Sequence, residues 1–137
     1  MLVLDCSVAL AWLLPDESSA YADAAMAALK EEGAMVPPLW IQEVANVLLV
    51  AIRRGRIAQD AALEFAEQMN FIGLRLSDQK PEIDHLPWLI EFGAEHGLTA
   101  YDASYLLLAI EQDAKLATLD KRLAAVAGVL GLLWQSE

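Results

Sequence analysis

Short apolar runs alternate with longer segments of helical periodicity along the whole of this 137-residue chain. The runs predict β-strands at Leu2–Leu4, Ala34–Val36, Leu74–Leu76 and Leu116–Leu119. Because strands that alternate with helices form parallel sheets, the pattern predicts an α/β fold with a central parallel sheet. The length is typical of a single domain, which we expect to span residues 1–137.

The segments between these runs carry the signals of helices. From Leu39 to Arg54 apolar residues recur at three- and four-residue spacing, and Gly55 marks the end of this helix. The other predicted helices are Val8–Leu14, Ser18 or Ser19 to Glu32, Ile57–Phe71, Asp84–His96, Thr99 to about Asp113, and a short helix after Asp120. The remaining apolar segment, Val129–Trp134, is the candidate for a last strand.

The apolar content of the chain excludes intrinsic disorder and a membrane span. Hydrophobic residues make up 57% of the sequence, whereas disordered chains combine low hydrophobicity with high net charge. The longest stretch without a charged residue, Leu123–Ser136, contains two glycines and falls short of the roughly 20 apolar residues that cross a bilayer. We expect the surplus apolar surface to meet a protein partner.

Two features predict a cytoplasmic protein. The first residues, Met1–Leu4, carry no basic side chain and meet Asp5 at once, unlike a secretory signal. Cys6 is the only cysteine, so no disulfide forms within the chain, which suits a reducing compartment.

The net charge of −11 limits how the chain meets nucleic acid. Nonspecific binding depends on lysine and arginine side chains that neutralise phosphates, and this chain has 9 of them against 20 acidic ones. If RNA or DNA is the ligand, bound metal ions have to supply the missing positive charge.

Acidic residues follow two of the predicted strands. Asp5 comes directly after the first strand and Asp120 directly after the last one. Each has a hydroxyl residue two positions away, Ser7 and Thr118 respectively. Open parallel sheets bind ligands beyond the carboxyl ends of their strands, which is where these side chains are expected.

Two further carboxylates interrupt apolar helices. Glu43 lies within the helix at 39–54, and Asp102 lies near the start of the helix that begins at Thr99. All four acids also have a purely structural alternative. Asp102 forms a capping-box variant with Thr99, while Glu43 points to water. Asp5 and Asp120 cap the helices that follow them.

The four acids together favour a metal site. They converge if their strands are neighbours, and closely packed carboxylates cannot all stay ionised without a compensating cation. Mg²⁺ or Mn²⁺ resolves this conflict, because hard cations take oxygen ligands and need few protein carboxylates. A cation bound at such a site would allow an acidic protein to bind a phosphodiester.

Four short motifs carry a resemblance to a known family. They are Val3–Ser7, Pro38–Leu48, Leu98–Ala103 and Leu116–Asp120, with the sequences VLDCS, PLWIQEVANVL, LTAYDA and LATLD. In order and spacing they resemble the signatures of PIN domains, and of the VapC-type toxin ribonucleases among them. The resemblance extends over essentially the whole chain, although residues 57–91 carry no signature.

The resemblance implies a three-layer α/β/α fold and a magnesium-dependent endoribonuclease, with Mn²⁺ as a substitute. By position, it implies that the metal-binding and catalytic quartet is Asp5, Glu43, Asp102 and Asp120. It implies supporting polar roles for Ser7, Asn46 and Thr118. The implied partners are the cognate antitoxin of a type II toxin–antitoxin system, an RNA substrate and a second copy of the chain.

Metal-activated water is the mechanism that this quartet favours. A metal held by Asp5, Asp102 and Asp120 lowers the pKa of a bound water and neutralises charge that develops on the phosphate. Glu43 either binds a second metal or orients the water, and the sequence leaves both roles open. No nucleophilic side chain is needed, and we expect Cys6 to fill a core position because nothing near it in sequence lowers its pKa.

The few basic residues include two groups near these motifs. Arg53 and Arg54 end the helix that carries Glu43, while Lys121 and Arg122 begin the last helix. Arg54 comes about three turns after Glu43, so the two share a helix face about 16 Å apart, and we predict that this arginine contacts the RNA backbone. A favourable interaction of the arginines with the helix dipole is the alternative.

Three other functions share part of this pattern. Magnesium-dependent phosphatases also place Asp at strand ends, but they usually carry a second Asp two residues later, where this chain has Ser7. A PIN-like module that only binds a partner would have lost acidic ligands, and all four are present. A DNA nuclease stays open, since the metal chemistry does not itself require the 2′-hydroxyl.

Overall fold

The computed structural model describes residues 1–17 and 19–136. Its strands are β1 (Leu2–Leu4), β2 (Ala34–Val36), β3 (Leu74–Leu76) and β4 (Lys115–Ala117). Its α-helices are α1 (Cys6–Leu13), α2 (Ala20–Glu32), α3 (Leu39–Arg53), α4 (Gln59–Gln68), α5 (Leu86–His96), α6 (Ala100–Glu111) and α7 (Lys121–Val129). Short 3-10 turns lie at Pro15–Glu17, Met69–Phe71 and Ile83–His85.

The four strands form one parallel sheet in the order β3-β2-β1-β4. Helices cover both sides of the sheet, so the three-layer α/β/α fold is confirmed. From β1 the chain moves outward through β2 and β3, and it then returns to place β4 on the other side of β1. β1 and β4 therefore flank the point where the winding reverses, which is where sheets of this kind bind their ligands.

β1 lies at the centre of the core. Leu2, Val3 and Leu4 are at most 1% exposed, and the strand pairs with β2 on one side and β4 on the other. A strand that is covered on both faces requires an uninterrupted apolar sequence, which explains the run at this position. β3 lies at the free edge of the sheet, where Arg75 and Leu76 are exposed.

α6 packs directly on β1 and β4. Ala103, Leu106 and Leu108 are completely buried in this contact region of the core. The packing holds α6, with Asp102 in its first turn, against the two strands that flank the reversal.

Most predicted elements are confirmed, and three of the strands match residue for residue. The predicted helix at Leu39–Arg54 ends one residue earlier. Ser19 caps α2, because its side chain accepts a hydrogen bond from the Ala22 amide at 3.0 Å. The alternative cap, Ser18, lies outside the described residues.

The ends of several elements differ from the prediction for local reasons. α1 begins at Cys6 rather than at Val8, because Asp5 caps it. The helix predicted at 57–71 is shorter, since Ala58 is extended and the chain tightens into a 3-10 turn after residue 68. A 3-10 turn also replaces the start of the helix predicted at 84–96. α6 ends at Glu111, and Asp113 then adopts a positive φ of 50°.

The strand predicted at Val129–Trp134 is wrong. Alanine-rich sequence extends α7 to Val129, and Gly131, with a φ of 72°, then turns the chain away. Leu133 forms only an isolated bridge to Leu116, whose backbone makes hydrogen bonds of 2.7 and 2.8 Å with the segment. The segment covers the outer edge of β4 without forming a strand.

Some large apolar side chains reach the surface. Phe71, Ile83 and Val129 are each at least 85% exposed, and α5 adds Leu86 and Ile90. None of the helices in the described part of the chain is long and apolar enough to cross a membrane.

We expect Leu116→Ala to lower the free energy of unfolding by about 2–5 kcal/mol, because this β4 side chain is completely buried and its loss leaves a cavity. Leu63→Ala is the matched control, since Leu63 on α4 is 55% exposed and its loss should cost less than about 0.5 kcal/mol. Urea denaturation measures both values. Equal losses would contradict the complete burial of Leu116 in the core.

Candidate functional site

Asp5 lies at the carboxyl end of β1, and its side chain is almost completely buried, with 4% exposed. Its Oδ1 accepts hydrogen bonds from the amide of Ser7, at 2.9 Å, and from the hydroxyl of the same residue. Its Oδ2 accepts a hydrogen bond from the Thr118 hydroxyl at 2.6 Å. The two hydroxyl residues predicted from sequence therefore hold both oxygens of this carboxylate.

The same hydroxyls connect the turn after β1 to the turn after β4. Ser7 Oγ accepts a hydrogen bond from the Leu119 amide at 2.9 Å, and Thr118 Oγ1 accepts one from the Asp120 amide at 3.0 Å. Ser7 accepts from the turn after β4, while Thr118 donates across to Asp5 and accepts from its own turn. These hydrogen bonds hold the backbone before Asp120 close to Asp5.

The structural and functional interpretations of Asp5 and Asp120 are compatible. Asp5 caps α1, since it accepts from the Ser7 amide, and Asp120 caps α7, since its Oδ1 accepts from the Leu123 amide at 3.0 Å. The cap occupies one oxygen of Asp120, whose residue is exposed. A carboxylate that caps a helix through one oxygen keeps the other one available.

Glu43 does not simply point to water, as one alternative held. It is half-buried on α3, and its Oε1 accepts a hydrogen bond of 2.5 Å from the hydroxyl of Tyr105 on α6. Asn46, one helical turn later, is exposed and lines an open cleft together with Glu43 and Tyr101. The structure therefore places both α3 candidates, Glu43 and Asn46, at one cleft.

Asp102 is half-buried in the first turn of α6. Its amide donates to the Thr99 hydroxyl at 3.1 Å, so Thr99 is the cap of this helix. The described hydrogen bonds contain no return bond from the Thr99 amide to the Asp102 carboxylate, and the predicted capping box is therefore only half formed. The Thr99 hydroxyl also forms a hydrogen bond to the Asp102 carboxylate that lowers its pKa, against the raising effects of burial and Asp120.

The pKa values of the carboxylates show that they share one electrostatic field. Burial raises the pKa of Asp5 to about 6, against the lowering effect of its hydrogen bonds, and the charge of Asp102 raises it further. Burial and the charge of Asp102 also raise the pKa of Glu43. The pKa of Asp102 itself is raised by burial and by the charge of Asp120. Asp102 thus interacts with each of the other three acids.

No positive charge relieves this field in the described part of the chain. The pKa shifts of Asp5, Glu43 and Asp102 have burial and acidic neighbours as raising causes, and no lysine or arginine lowers them. Burial raises the pKa of Cys6 to about 12, and Asp5 and nearby acids raise it further. The thiol therefore stays protonated, and Cys6 is half-buried against the margin of the core rather than inside it.

The residues at this edge fit a hard divalent cation. They offer carboxylate oxygens in an acidic field that a cation would relieve. Over residues 1–17 and 19–136, however, no three His, Cys, Asp or Glu side chains form a ready-made metal site. The donor chemistry, rather than a preformed cage, is what matches a metal.

The basic residues predicted to bind RNA are all exposed. Arg53 and Arg54 are exposed at the end of α3, and Lys121 and Arg122 are exposed at the start of α7. Arg122 donates to the carbonyl of Gly97 at 2.7 Å, where α5 ends. The structure describes no hydrogen bond or ion pair between these side chains and the four carboxylates.

Two tyrosines at the site were missed from the sequence. Tyr105 could have been found, because it follows Asp102 by three residues and so shares its helix face. Tyr21 gives no such signal: its hydroxyl accepts from the Thr118 amide at 3.3 Å and donates to the Trp134 carbonyl at 2.7 Å, across most of the chain.

Comparison with known proteins identifies this arrangement. The PIN domain family matches residues 2–129, a range that contains all four carboxylates. The chain belongs to the PIN domain family. Within the family, it is 34% identical to Ribonuclease VapC3 of Pyrobaculum aerophilum over 124 residues, which cover 90% of this chain and 92% of the relative.

Two further relatives agree with this assignment. The chain is 33% identical over 103 residues to Ribonuclease VapC1 of Mycobacterium tuberculosis, covering 74% of this chain and 73% of the relative. The PIN domain fold is similar to the crystal structure of PAE2754 from Pyrobaculum aerophilum, with a TM-score of 0.68, 25% identity, and coverage of 90% of this chain and 82% of that one. The resemblance to VapC-type PIN domains that the four motifs predicted is confirmed.

We expect the stability of the metal-free PIN domain to depend on the protonation of Asp5. Its pKa rises from 3.8 in the unfolded chain to about 6 in the folded protein, so the folded state binds the proton more tightly. The resulting stabilisation is complete below about pH 4 and is lost as the pH rises through about 6. At about 1.4 kcal/mol per pKa unit, the loss is about 3 kcal/mol.

Urea denaturation between about pH 4 and pH 7 in the presence of a chelator measures this effect. Wild type should lose more unfolding free energy over the interval than Asp5→Asn, which cannot ionise. An identical pH dependence of the two proteins would show that Asp5 does not titrate with a raised pKa.

Proposed function

We propose that this chain is a metal-dependent endoribonuclease, the toxin component of a type II toxin–antitoxin pair. The observation that carries the proposal is the shared field of Asp5, Glu43, Asp102 and Asp120 at the point where the sheet reverses. Its relatives that are named VapC ribonucleases support the nuclease assignment.

Mg²⁺ is the proposed metal, with Mn²⁺ as a substitute, and the four acids are its proposed ligands. Asp5, Asp102 and Asp120 would hold it, while Glu43 would bind a second ion or orient water. When bound, such a cation lowers the pKa of a water, orients it and neutralises charge on the phosphodiester. That chemistry suits a chain whose own net charge of −11 repels RNA.

The surrounding side chains prepare the carboxylates for this task. The hydroxyls of Ser7 and Thr118 fix the orientation of Asp5 and hold its position after β1. Their acceptor contacts hold the backbone before Asp120 at the same edge of the sheet. The chain keeps its only thiol, Cys6, protonated, so this side chain does not compete with water as a nucleophile.

The alternative functions are less well supported. A phosphatase would use a second carboxylate two residues after Asp5, and Ser7 occupies that position and donates to Asp5. A module that only binds a partner has no need of four interacting acids. A DNA nuclease would share the whole site, and a comparison of RNA and DNA substrates separates the two.

We propose a cognate antitoxin and a second copy of the chain as protein partners. The support for both is the exposed apolar surface, which includes Phe71, Ile83 and Val129. An RNA substrate and an antitoxin produced in the same cell place the proposed activity in the cytoplasm.

We expect Asp102→Asn to reduce RNA cleavage by at least about 100-fold, because Asp102 interacts with the other three acids and is a proposed metal ligand. The measurement is induced expression in a bacterial host, with growth recorded and new RNA 5′ ends mapped by sequencing. Wild type should arrest growth and produce a few discrete cuts that the variant lacks.

Asp60→Asn is the matched control for this experiment. Asp60 is exposed in the first turn of α4, outside the proposed site, and its replacement should leave arrest and cleavage unchanged. If Asp102→Asn cleaves as well as Asp60→Asn, the acidic quartet is not the catalytic site. If purified wild type cleaves no RNA with either Mg²⁺ or Mn²⁺, the proposed function is wrong.

We expect Arg54→Ala to weaken cleavage more at low salt than at high salt, since the arginine is proposed to contact the RNA backbone beyond α3 and such contacts are screened by salt. One lost phosphate contact should reduce the salt dependence of binding by about one ion. Lys30→Ala, at an exposed position of α2, is the control. An unchanged salt dependence for Arg54→Ala would leave the helix dipole as the explanation of this arginine.

A further inference from the structure

Tyr105 brings a buried hydroxyl to the acidic site, and the proposed mechanism does not yet use it. The residue is 1% exposed in the middle of α6, and its hydroxyl donates to Glu43 Oε1 at 2.5 Å. Among the hydrogen bonds of the described residues, this is the only one that joins α3 to α6. A single buried donor therefore connects the helix of Glu43 to the helix of Asp102.

The position of Tyr105 along α6 explains how this bond connects Glu43 to the other acids. It lies one helical turn after Asp102, so the same face of α6 carries a carboxylate and the donor that reaches Glu43. α6 is in turn packed on β1 and β4, the strands that lead to Asp5 and Asp120. The bond thus connects Glu43 on α3 to α6, which carries Asp102 and packs on the strands that lead to Asp5 and Asp120.

Tyrosine is suited to this task because its donor is held rigidly. The ring is buried, so the hydroxyl cannot follow Glu43 if that side chain moves into the solvent. Glu43 without the bond would be a half-exposed side chain with several free rotamers. With the bond, one oxygen is occupied and the other, Oε2, is held in a defined position.

We propose that Tyr105 is a positioning residue for Glu43. Its hydroxyl occupies Oε1 of Glu43, so that Oε2 is presented to the metal or the attacking water. This inference rests on the proposed function. It assigns no contact between Tyr105 and the substrate, so the residue acts through Glu43 alone.

Tyr105→Phe tests the proposal, because it removes the hydroxyl and keeps the buried ring. We expect kcat for RNA cleavage to fall about 10- to 100-fold while KM changes less than about 2-fold. We also expect the Kd for Mn²⁺, measured by titration calorimetry without RNA, to rise about 10-fold. Thermal unfolding of each variant confirms that the fold is retained.

Ser104→Ala is the matched control on the same helix. Its hydroxyl donates only to the Ala100 carbonyl within α6, at 2.8 Å, and does not reach Glu43. The control should keep the kcat and the Mn²⁺ affinity of wild type. If Tyr105→Phe behaves like Ser104→Ala in both measurements, the positioning role is wrong.

A double-mutant cycle separates positioning from general support of the fold. In a Glu43→Ala background, Tyr105→Phe should cause no further loss of kcat or of Mn²⁺ affinity, because its only target is already absent. A loss of the same size in both backgrounds would show that Tyr105 acts on the structure and not through Glu43.

The results also separate this proposal from the proposed function. Wild type that cleaves RNA and binds Mn²⁺, with Tyr105→Phe unchanged, overturns the positioning role alone. Wild type that neither cleaves RNA nor binds Mn²⁺ overturns both proposals.

Discussion

The parallel pairing of β1 with β4 determines where the parts of the site lie. Leu4 pairs with Ala117, and the next residues along the two strands are Asp5 and Thr118. The Asp5 amide extends the ladder by donating to the Ala117 carbonyl at 3.2 Å. Because a slip of one residue reverses the side of every side chain in a strand, this register is what lets the Thr118 hydroxyl reach Asp5.

The carboxylates of the site lower the stability of the fold. Burial and mutual repulsion disfavour the charged forms of Asp5 and Asp102, and only hydrogen bonds from neighbouring residues partly offset this. For Asp5 those bonds come from Ser7 and Thr118 beside the ends of strands, and for Asp102 from Thr99 at the start of α6. Packing in the large apolar core around β1 offsets this unfavourable free energy.

Much of this architecture could be predicted from sequence because its signals are local. Three-residue apolar runs with nothing polar in them identify buried strands, and a carboxylate at the end of such a run identifies the functional edge. Glu43 gives a weaker local signal as one acid on an apolar helix, and it was grouped with the others by the joint argument from four acids, which the family motifs then strengthened. The exact register of β4 against β1 appears only in the structure.

The parts that sequence missed depend on contacts between distant residues. Helical spacing places Tyr105 near Asp102 but does not reveal its contact with Glu43, 62 positions away, and no periodicity marks the contact of Tyr21 with Thr118, 97 positions away. The last apolar segment failed as a strand for another reason, since Gly131 and the helix before it leave only Leu133 in register with Leu116. Apolar composition alone does not distinguish a strand from a segment that covers an edge.

Asp120 serves both as a proposed ligand and as the cap of α7, and this double use has an evolutionary consequence. Asparagine caps a helix about as well as aspartate does, so its appearance at this position would preserve the start of α7. One nucleotide change converts an aspartate codon into an asparagine codon. A single-base change therefore gives a folded protein that lacks one of its proposed metal ligands and keeps the start of α7.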